Sequence, residues 1–454
     1  MKQKPWEIGQ LNVKGRYLFT GETPFFWLGD TAWLLFNRLD REQIDHYLQN
    51  RADKGYTVIQ AVAAMRMPAV NIYGHEAFHD QDMTRPVLEK GGYWDLIDHV
   101  FDKAEQLGLY VGLLPTWGGV VNKGHIGPDQ AAAYAGFLAD RYGARPNLIW
   151  INGGDTRGNE NTAFWNNMGQ TLKALTPDRL VTFHPFGRTL SADFFPDAPW
   201  IDFHMFQSGH RRYDQVSLNQ WDDRHKDDPN YYWFGEDSWR YVDRAFSLPG
   251  EQVKPVLDAE PSYEQLPQGL HDKTQQRWQD HDVRRYAYWS MLAGACGFTY
   301  GHCDLMRMYR KAEAADPNEP GFDWSDAIAH PGSDSMTHLR RLFEMLPYTT
   351  GKSAQELLAT DEGERYDRIS VFKGDGFVMA YTYTGRTISL LPGCLEGDVL
   401  HTWWFNPASG VCNYAGAYPA NQPLEKKIPD GLFANKDWVL LVKNQPCLQG
   451  YPPA

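Results

Sequence analysis

Cysteine is scarce in this 454-residue sequence, and long apolar runs are missing. The five cysteines, at positions 296, 303, 394, 412 and 447, are odd in number and widely spaced, so they do not form a disulfide framework. No stretch approaches the ~18 apolar residues of a membrane span. Residues 1–9 lack the apolar segment of a signal peptide. We therefore expect no membrane contact and a cytoplasmic location, or a periplasmic or secreted one if a leader was removed.

Positive charge is also in short supply. Lysine and arginine number 44 against 57 aspartates and glutamates, a net charge of -13, and nowhere do the cations cluster into a basic face. A nucleic-acid partner is therefore excluded, because a phosphate backbone needs such a face. No glycine-rich dinucleotide fingerprint follows a predicted strand, and we expect no cofactor.

Aromatic residues are abundant, with 17 Trp, 24 Tyr and 23 Phe. This is more than packing alone requires. Trp and Tyr faces also bind sugar rings, so the composition is compatible with a carbohydrate partner.

From residue 25 to about residue 300, apolar runs alternate with segments of helical periodicity. The runs predict strands at 25–30, 56–63, 109–115, 147–152, 180–184, 201–205, 255–260 and 297–300. Helices are predicted at 40–54, 94–107, 128–142, 164–175, near 214–226 and at 275–293. Eight such units predict an α/β fold, a (β/α)8 TIM barrel. An open, doubly wound sheet is the structural alternative.

Beyond about residue 350 the pattern changes to short alternating runs separated by Gly, Asn, Asp and Pro. These runs cover 368–373, 377–383, 387–390, 402–405 and 438–442. They predict a small antiparallel β-sandwich. We therefore expect two domains, a catalytic barrel at 1–350 and a sandwich at 351–454.

Polar and aromatic residues follow nearly every predicted barrel strand, at the end where barrel active sites lie. The candidates for substrate binding are Asp30, Trp33, Trp117, His184, His204, Gln207, His210, Tyr263 and His302. Trp324 joins them, because the long segment 305–333 is expected to fold over the site as a lid.

Two carboxylates stand out among these strand ends. Asp155 follows the fourth strand after Gly153 and Gly154, and Glu260 ends the seventh strand before Pro261. Cleavage of an acetal needs a proton for the leaving oxygen and a second carboxylate at the oxocarbenium-like centre. Strands four and seven face each other across a barrel mouth, so the pair predicts a glycosidase. A capped structural loop for Asp155 and an ion pair for Glu260 remain the alternatives.

Several blocks resemble the apiosidase-like glycoside hydrolases of family 140. They include FWLGDTAW (26–33), IWINGGD (149–155) and KPVLDAEPSYE (254–264), with further matches at 108–118, 182–185, 202–210 and 284–301. Segments 403–407 and 437–440 resemble the collagen-binding-type β-sandwich that follows such barrels.

The resemblance implies a (β/α)8 barrel, Asp155 as acid/base and Glu260 as nucleophile of a retaining mechanism. It also implies release of apiose from rhamnogalacturonan-II side chains or other plant apiosides. Arg66, Arg157, Arg188 and Arg211 are candidates for contact with an acidic aglycone.

Three alternatives remain open on sequence. The enzyme could act on another pentose or hexose. A metal-dependent amidohydrolase could use His184, His204 and Asp304, but its first-strand His-x-His is absent, so we expect no metal. A carbohydrate-binding protein without catalysis would tolerate loss of one carboxylate, whereas both are present.

Overall fold

The fold is known from a computed structural model, which describes residues 3–215, 234–269, 272–314, 320–428 and 437–446. Eight parallel strands form the barrel: β1 Trp27–Thr31, β2 Val58–Val62, β3 Tyr110–Leu114, β4 Leu148–Thr156, β5 Val181–Pro185, β6 His204–Gln207, β7 Val256–Asp258 and β8 Gly297–Tyr300. Their order is sequential, and β8 pairs in parallel with β1.

The ring of strands closes between β5 and β6. There the backbone N–H of Asp202 donates to the carbonyl of Val181 at 2.9 Å, and Thr182 Oγ1 donates to the carbonyl of Phe203 at 2.6 Å. The predicted barrel is confirmed and the open doubly wound sheet is wrong, because an open sheet would leave both edges unpaired.

Helices cover the outside of the barrel. Those of eight residues or more in the described ranges are α1 Arg41–Asp53, α2 Tyr93–Leu107, α3 Pro128–Tyr142, α4 Thr162–Leu175, α5 Trp239–Phe246, α6 Asp280–Ala293 and α7 Pro331–Glu344. Shorter helices span Pro5–Ile8, Leu35–Arg38, Gly118–Asn122 and Trp324–Ala327. Over the described ranges, every helix falls short of the length and apolarity that crossing a bilayer requires.

One predicted helix begins later than expected, and another lies mostly outside the described residues. The one expected at 275–293 begins at Asp280, because Asp272–Arg277 pairs with Pro267–Gly269 as a β-hairpin. The one expected near 214–226 lies outside the described residues from position 216 onward.

The helix signals read from the sequence have their physical counterparts. Asp40 caps α1: its Oδ1 accepts from the backbone N–H of Gln43 at 2.9 Å, and Gln43 Oε1 accepts from the Asp40 N–H at 3.2 Å. Gly108 ends α2 with φ 76°, a left-handed conformation that glycine adopts without strain.

A small antiparallel sheet covers the N-terminal end of the barrel. Its strands are Leu11–Lys14, Tyr17–Thr20 and Thr23–Phe25. The rings of Trp6 and Phe25 pack edge-on against Tyr110, the first residue of β3, with centroids 5.3 Å away in both pairs. These contacts cover the start of β3 with aromatic rings.

The C-terminal region contains seven main strands: β9 Ile369–Gly374, β10 Phe377–Thr382, β11 Ile388–Leu390, β12 Val399–Phe405, β13 Cys412–Pro419, β14 Leu424–Lys426 and β15 Trp438–Lys443. Lys352–Ser353 pairs antiparallel with β9 at the edge of a six-stranded sheet. The sheet continues from β9 through β10, β15, β12 and β13. β11 and β14 form a separate pair, so the predicted antiparallel sandwich is confirmed.

Both faces of the six-stranded sheet are buried along β10 and β15, whereas the edge strand β13 is largely exposed. Along β10, Val378 and Ala380 pack towards β11 and β14, whereas Phe377, Met379 and Tyr381 pack into the core that continues through the barrel. Tyr381 stacks on Tyr288 of α6, with ring centroids 4.8 Å apart. The sheet therefore lies directly against the barrel through α6.

Candidate active site

A cavity of about 640 Å³ lies at the C-terminal end of the barrel strands. Its volume is within the range of roughly 300–1,000 Å³ typical of small-molecule sites. Seven residues expected at the site line it: Trp33, Trp117, Asp155, Gln207, His210, Glu260 and Tyr263. The strands thus bring both carboxylates to one space.

Asp155 stands on a distorted end of β4. Gly153, Gly154 and Asp155 have φ angles of 92°, 101° and 47°, and the register to β5 shifts between Gly153 and Thr156. A Cβ on Gly154 would lie 2.5 Å from the Trp117 ring, and one on Gly153 would lie 2.4 Å from the His184 carbonyl oxygen. Glycine is therefore required at both positions, and the left-handed turn aims Asp155 into the cavity.

Glu260 lies two residues beyond β7, with its backbone fixed on both sides. Its carbonyl accepts from the N–H of Gly209 at 3.2 Å, and its N–H donates to Asp258 Oδ1 at 3.3 Å. The carboxylate is buried, with Nε2 of His210 3.0 Å from Oε1. Burial alone would raise the pKa of Glu260, but the contacts with His184 and His210 outweigh it and lower that pKa to about 2.

His184, on β5, holds the other carboxylate oxygen. Its Nδ1 lies 3.1 Å from the carbonyl oxygen of Pro185, an acceptor, so Nδ1 carries a proton. Its Nε2 lies 3.3 Å from Oε2 of Glu260, an ion-pair distance without the alignment of a hydrogen bond. His184 therefore acts behind Glu260 and is not itself part of the cavity wall.

Aromatic rings form the wall beside the carboxylates. Trp33 Nε1 donates to Tyr263 Oη at 3.1 Å, and the rings of Trp33 and Trp117 lie 5.2 Å apart. His210 packs on Tyr263 at 4.7 Å. These contacts hold the rings rigidly, as a platform for the C–H face of a sugar requires.

Asp258 is a site residue that sequence reasoning missed. It is fully buried, and Ser208 donates to it from Oγ at 2.6 Å and from the backbone N–H at 3.3 Å. Burial raises the pKa of Asp258 to about 7, helped by the negative Glu260 and opposed by the Ser208 bonds. Its place two residues before Glu260 in the same run was the available signal, because residues so close in the chain contact each other: Asp258 Oδ1 accepts from the Glu260 N–H.

Two expected site residues on strands face the wrong way. Asp30 points out of the barrel to α1, where Tyr47 Oη donates to it at 2.5 Å and Arg51 Nε lies 3.0 Å away. His204 is bonded to Ser191 Oγ at 3.0 Å and to the Gln252 carbonyl at 3.1 Å. Both are structural contacts outside the cavity wall.

His302 and Trp324 also lie outside the cavity wall. His302 is fully buried beside His330. Trp324 is buried in the core against His46, and among the described residues of segment 305–333 Met306, Arg307 and Pro320 reach the cavity. Apolar burial therefore decided the position of Trp324, and it does not form the expected lid contact.

Five cationic side chains also line the cavity: Arg188, Arg211, Lys273, Arg277 and Arg307. Two of the arginines suggested for an acidic aglycone are among them. Arg157 is instead buried over the Phe186 ring at 4.8 Å, and Arg66 is not in the wall. Lys273 and Arg277 were missed because their segment was interpreted as a helix rather than a hairpin at the cavity edge.

A second cavity, of about 450 Å³, shares Trp117, Asp155 and Phe186 with the first. Its other walls are Gly119, Asn122, Lys123 and Glu160. The cleft therefore continues past Asp155, whereas Glu260 borders only the larger cavity.

One group of residues in the described ranges has the spacing of a metal site: Glu264, His302 and His330. The N–H of Asp304 donates to His302 Nδ1 at 3.0 Å, so Nε2 carries the proton and faces His330 Nδ1, also at 3.0 Å. Glu264 accepts from Tyr300 Oη at 2.5 Å and from the Gly332 N–H at 3.2 Å. These hydrogen bonds use the lone pairs that a metal would need. His184, His204 and Asp304 form no such group in the described parts of the chain.

Comparison with known proteins gives a consistent result. The family described as "Apiosidase-like, catalytic domain" matches residues 12–350, and that described as "Putative collagen-binding domain of a collagenase" matches residues 353–443. No curated protein matches.

Two solved structures are similar along the whole chain. One, titled "Glycoside hydrolase", is 39% identical, with 98% of this chain and 99% of that chain covered and a TM-score of 0.91. The other, a glycoside hydrolase family 5 structure from Bacteroides vulgatus ATCC 8482, is 37% identical, with 98% and 96% covered and a TM-score of 0.90.

Proposed function

This chain belongs to the apiosidase-like family of glycoside hydrolases, and on that premise we propose that it releases apiose from apiosides with acidic leaving groups. Asp155 serves as the acid/base and Glu260 as the nucleophile of a retaining mechanism. The observation that carries this proposal is that both carboxylates line one cavity while two histidines hold Glu260 ionised.

The first step forms a bond between Glu260 and the anomeric carbon. Asp155 donates a proton to the leaving oxygen as the glycosidic bond breaks. A low pKa keeps Glu260 in the nucleophilic form across the neutral and mildly acidic range. Its contacts with His184 and His210 hold it in one orientation for the attack.

The second step releases the sugar. Asp155, now ionised, takes a proton from water, and the water attacks the anomeric carbon. Glu260 departs as a carboxylate, and the same His184 and His210 contacts that lower its pKa stabilise it as it forms. The same pair therefore assists both steps.

Selection of a small sugar fits the wall around Glu260. Apiose carries a tertiary carbinol and a hydroxymethyl group, which need several short hydrogen bonds and an aromatic floor. Gln207, His210 and Tyr263 offer polar atoms there, and Trp33 and Trp117 offer ring faces. Release of another pentose or hexose is the alternative outcome of the substrate test.

Preference for an acidic aglycone, such as the uronate backbone of rhamnogalacturonan-II, rests on charge. Five cations and two carboxylates line the larger cavity of a protein whose net charge is -13. Arg307 is paired with Asp304 at 2.8 Å, whereas Arg277 donates to the carbonyls of Gln265 and Pro320, which leave its charge uncompensated. A local positive field in an acidic protein favours an anionic ligand.

Neither other class of function gains support. A carbohydrate-binding protein without catalysis needs neither the left-handed backbone at Asp155 nor a lowered pKa at Glu260. An amidohydrolase has no place to hold its metal with His184, His204 and Asp304, because His204 faces away from the cavity.

The test is a panel of aryl glycosides that share one aglycone and differ in the sugar, assayed with and without chelator. Turnover of the apioside well above the arabinoside, xyloside and glucoside, unchanged by chelator, is the expected result. A better rate on another sugar overturns the apiose assignment. Comparison of uronate-linked with flavonoid-linked apiosides then decides the leaving group, and equal kcat/KM values contradict the acidic preference.

A further inference from the structure

A buried charged cluster joins the barrel to the C-terminal sheet region. Arg285 of α6 is almost fully buried and pairs with Glu236, which precedes α5, and with Asp282 at 2.9 Å. The rings of Tyr286, Trp289, Tyr366 and Tyr383 surround the guanidinium, with centroids 4.7–5.4 Å away. Glu236 and Arg285 thus form a fixed anchor at this junction.

The loop that follows β6 is attached to this anchor. The N–H of Tyr213 donates to Glu236 Oε1 at 3.3 Å, and Tyr213 Oη donates to Asp237. His210, which contacts Glu260, lies three residues earlier in the chain, and Arg211, which lines the cavity, lies two residues earlier. Any displacement of Tyr213 therefore moves the end of a short segment that carries site residues.

The C-terminal region holds the same loop from the other side. Tyr366 Oη donates to Glu236 Oε1 at 2.5 Å, the oxygen that also accepts from Tyr213. The Tyr366 ring packs edge-on against Tyr213 at 5.3 Å, and the Arg365 guanidinium lies over the Tyr213 ring at 5.2 Å. Residues 365–366 thus clamp Tyr213 against Glu236.

We infer that the C-terminal region acts on catalysis by positioning: Tyr366, through Tyr213 and Glu236, fixes the loop 208–213 so that His210 stays against Glu260. This inference rests on the proposed function only where activity is the readout. Tyr366 is a positioning residue, since it neither lines the cavity nor contacts Asp155 or Glu260. In this inference the sheet region contributes order to the active-site loop through residues 365–366.

The test compares Tyr366→Phe and Tyr366→Ala with a matched control, Tyr381→Phe. Tyr366 is 37% exposed, so its replacement spares the core. Tyr381 lies at the same junction and donates to Asp437 at 3.4 Å, but it makes no contact with the loop. Hydrogen exchange of peptides within 208–215 is the first readout, because it reports loop order without any substrate.

The inference expects faster exchange of 208–215 in Tyr366→Ala and, less so, in Tyr366→Phe, with wild-type rates in Tyr381→Phe. It also expects kcat/KM to fall roughly three- to tenfold in Tyr366→Ala. That loss should grow between pH 6 and pH 4, because Glu260 loses part of the His210 contact that keeps it ionised.

Unchanged exchange in Tyr366→Ala, or a loss of activity that is the same at both pH values, overturns the inference. If the wild-type enzyme does not cleave apiosides, the proposed function fails while the exchange measurement still decides the positioning role.

Discussion

Nε2 of His184 lies 3.3 Å from Oε2 of Glu260, and Nδ1 of the same ring is committed to the Pro185 carbonyl. The contacts with His184 and His210 together lower the pKa of Glu260 although the carboxylate is buried. A histidine of β5 thus reaches past β6 to the carboxylate that we propose as the nucleophile.

Replacement of His184 should expose Glu260 to protonation. In His184→Asn the amide keeps a donor for the Pro185 carbonyl but removes Nε2, which faces Oε2 of Glu260. The pKa of Glu260 should rise from about 2, since burial then outweighs the one remaining histidine contact. We expect the acidic limb of the kcat/KM profile to move into the range above pH 4, measured from pH 3.5 to 7. An unchanged acidic limb of the profile would rule out His184 as a group that lowers the pKa of Glu260.

Loss of the Glu260 carboxylate should abolish turnover without unfolding the barrel. Glu260→Gln is expected to lower kcat by at least about a thousandfold, because an amide forms no glycosyl-enzyme. Glu264→Gln is the matched control: Glu264 is a buried Glu outside the cavity wall, and burial raises its pKa to about 7, so Gln resembles its protonated form. The control should retain activity, and near-wild-type turnover in Glu260→Gln would disprove the assignment.

Removal of Asp155 should affect substrates according to their leaving groups. Asp155→Ala deprives the leaving oxygen of its proton, which matters for a sugar alcohol and little for an activated phenol. General acid catalysis contributes roughly 10²–10⁴-fold, so natural apiosides should lose that factor while activated aryl apioside cleavage suffers far less in its first step. Steady-state kinetics on both substrates checks this. Equal losses would contradict the role.

His210 and His204 provide a matched pair around β6: His204 is its first residue, and His210 lies three residues beyond its end. His210→Ala should lower kcat/KM roughly ten- to a hundredfold, because it removes a contact to Glu260 of ~1–3 kcal/mol. His204→Asn should lower the melting temperature through its lost bonds to Ser191 and Gln252 and leave kcat/KM near the wild-type value. The reverse pattern would show that the cavity is assigned to the wrong face of β6.

Asp258 should make stability fall as pH rises. Its folded pKa of about 7 exceeds the ~3.9 of an unfolded Asp, so the folded state keeps a proton that the unfolded state releases between about pH 4 and 7. The contribution of Asp258 to the free energy of unfolding is therefore complete below pH 4 and is lost by pH 7. Asp258→Asn should flatten the dependence of the melting temperature between pH 5 and 8. Asp375→Asn, at an exposed turn, serves as the control and should leave the slope unchanged.

The barrel was predictable because its signals are local. Asp40 caps a helix in sequence and in space, and Gly108 ends one. The Gly153-Gly154 pair predicted that the backbone lies close to neighbouring groups, and the short distances to Trp117 and His184 agree with this. Such features depend on neighbouring residues, which the sequence displays directly.

Site membership was harder to predict, because it depends on which way a strand residue faces. His204 and Gln207 are three residues apart on β6, so they point to opposite sides, and only Gln207 reaches the cavity. Asp30 shows the same problem on β1, where its partners are Tyr47 and Arg51 of α1. Lys273 and Arg277 could not be placed at all, because the hairpin that carries them has no apolar alternation.

The sheet buried on both faces also limits how the chain can be divided. A fragment ending near residue 350 would uncover α6, where Tyr288 stacks on Tyr381 and Arg284 pairs with Asp437 at 2.7 Å. An isolated sheet region would expose Phe377, Met379 and Tyr381 to water. The two parts thus cannot be exchanged like independent modules, and any recombination between relatives has to carry α6 together with the strands that cover it.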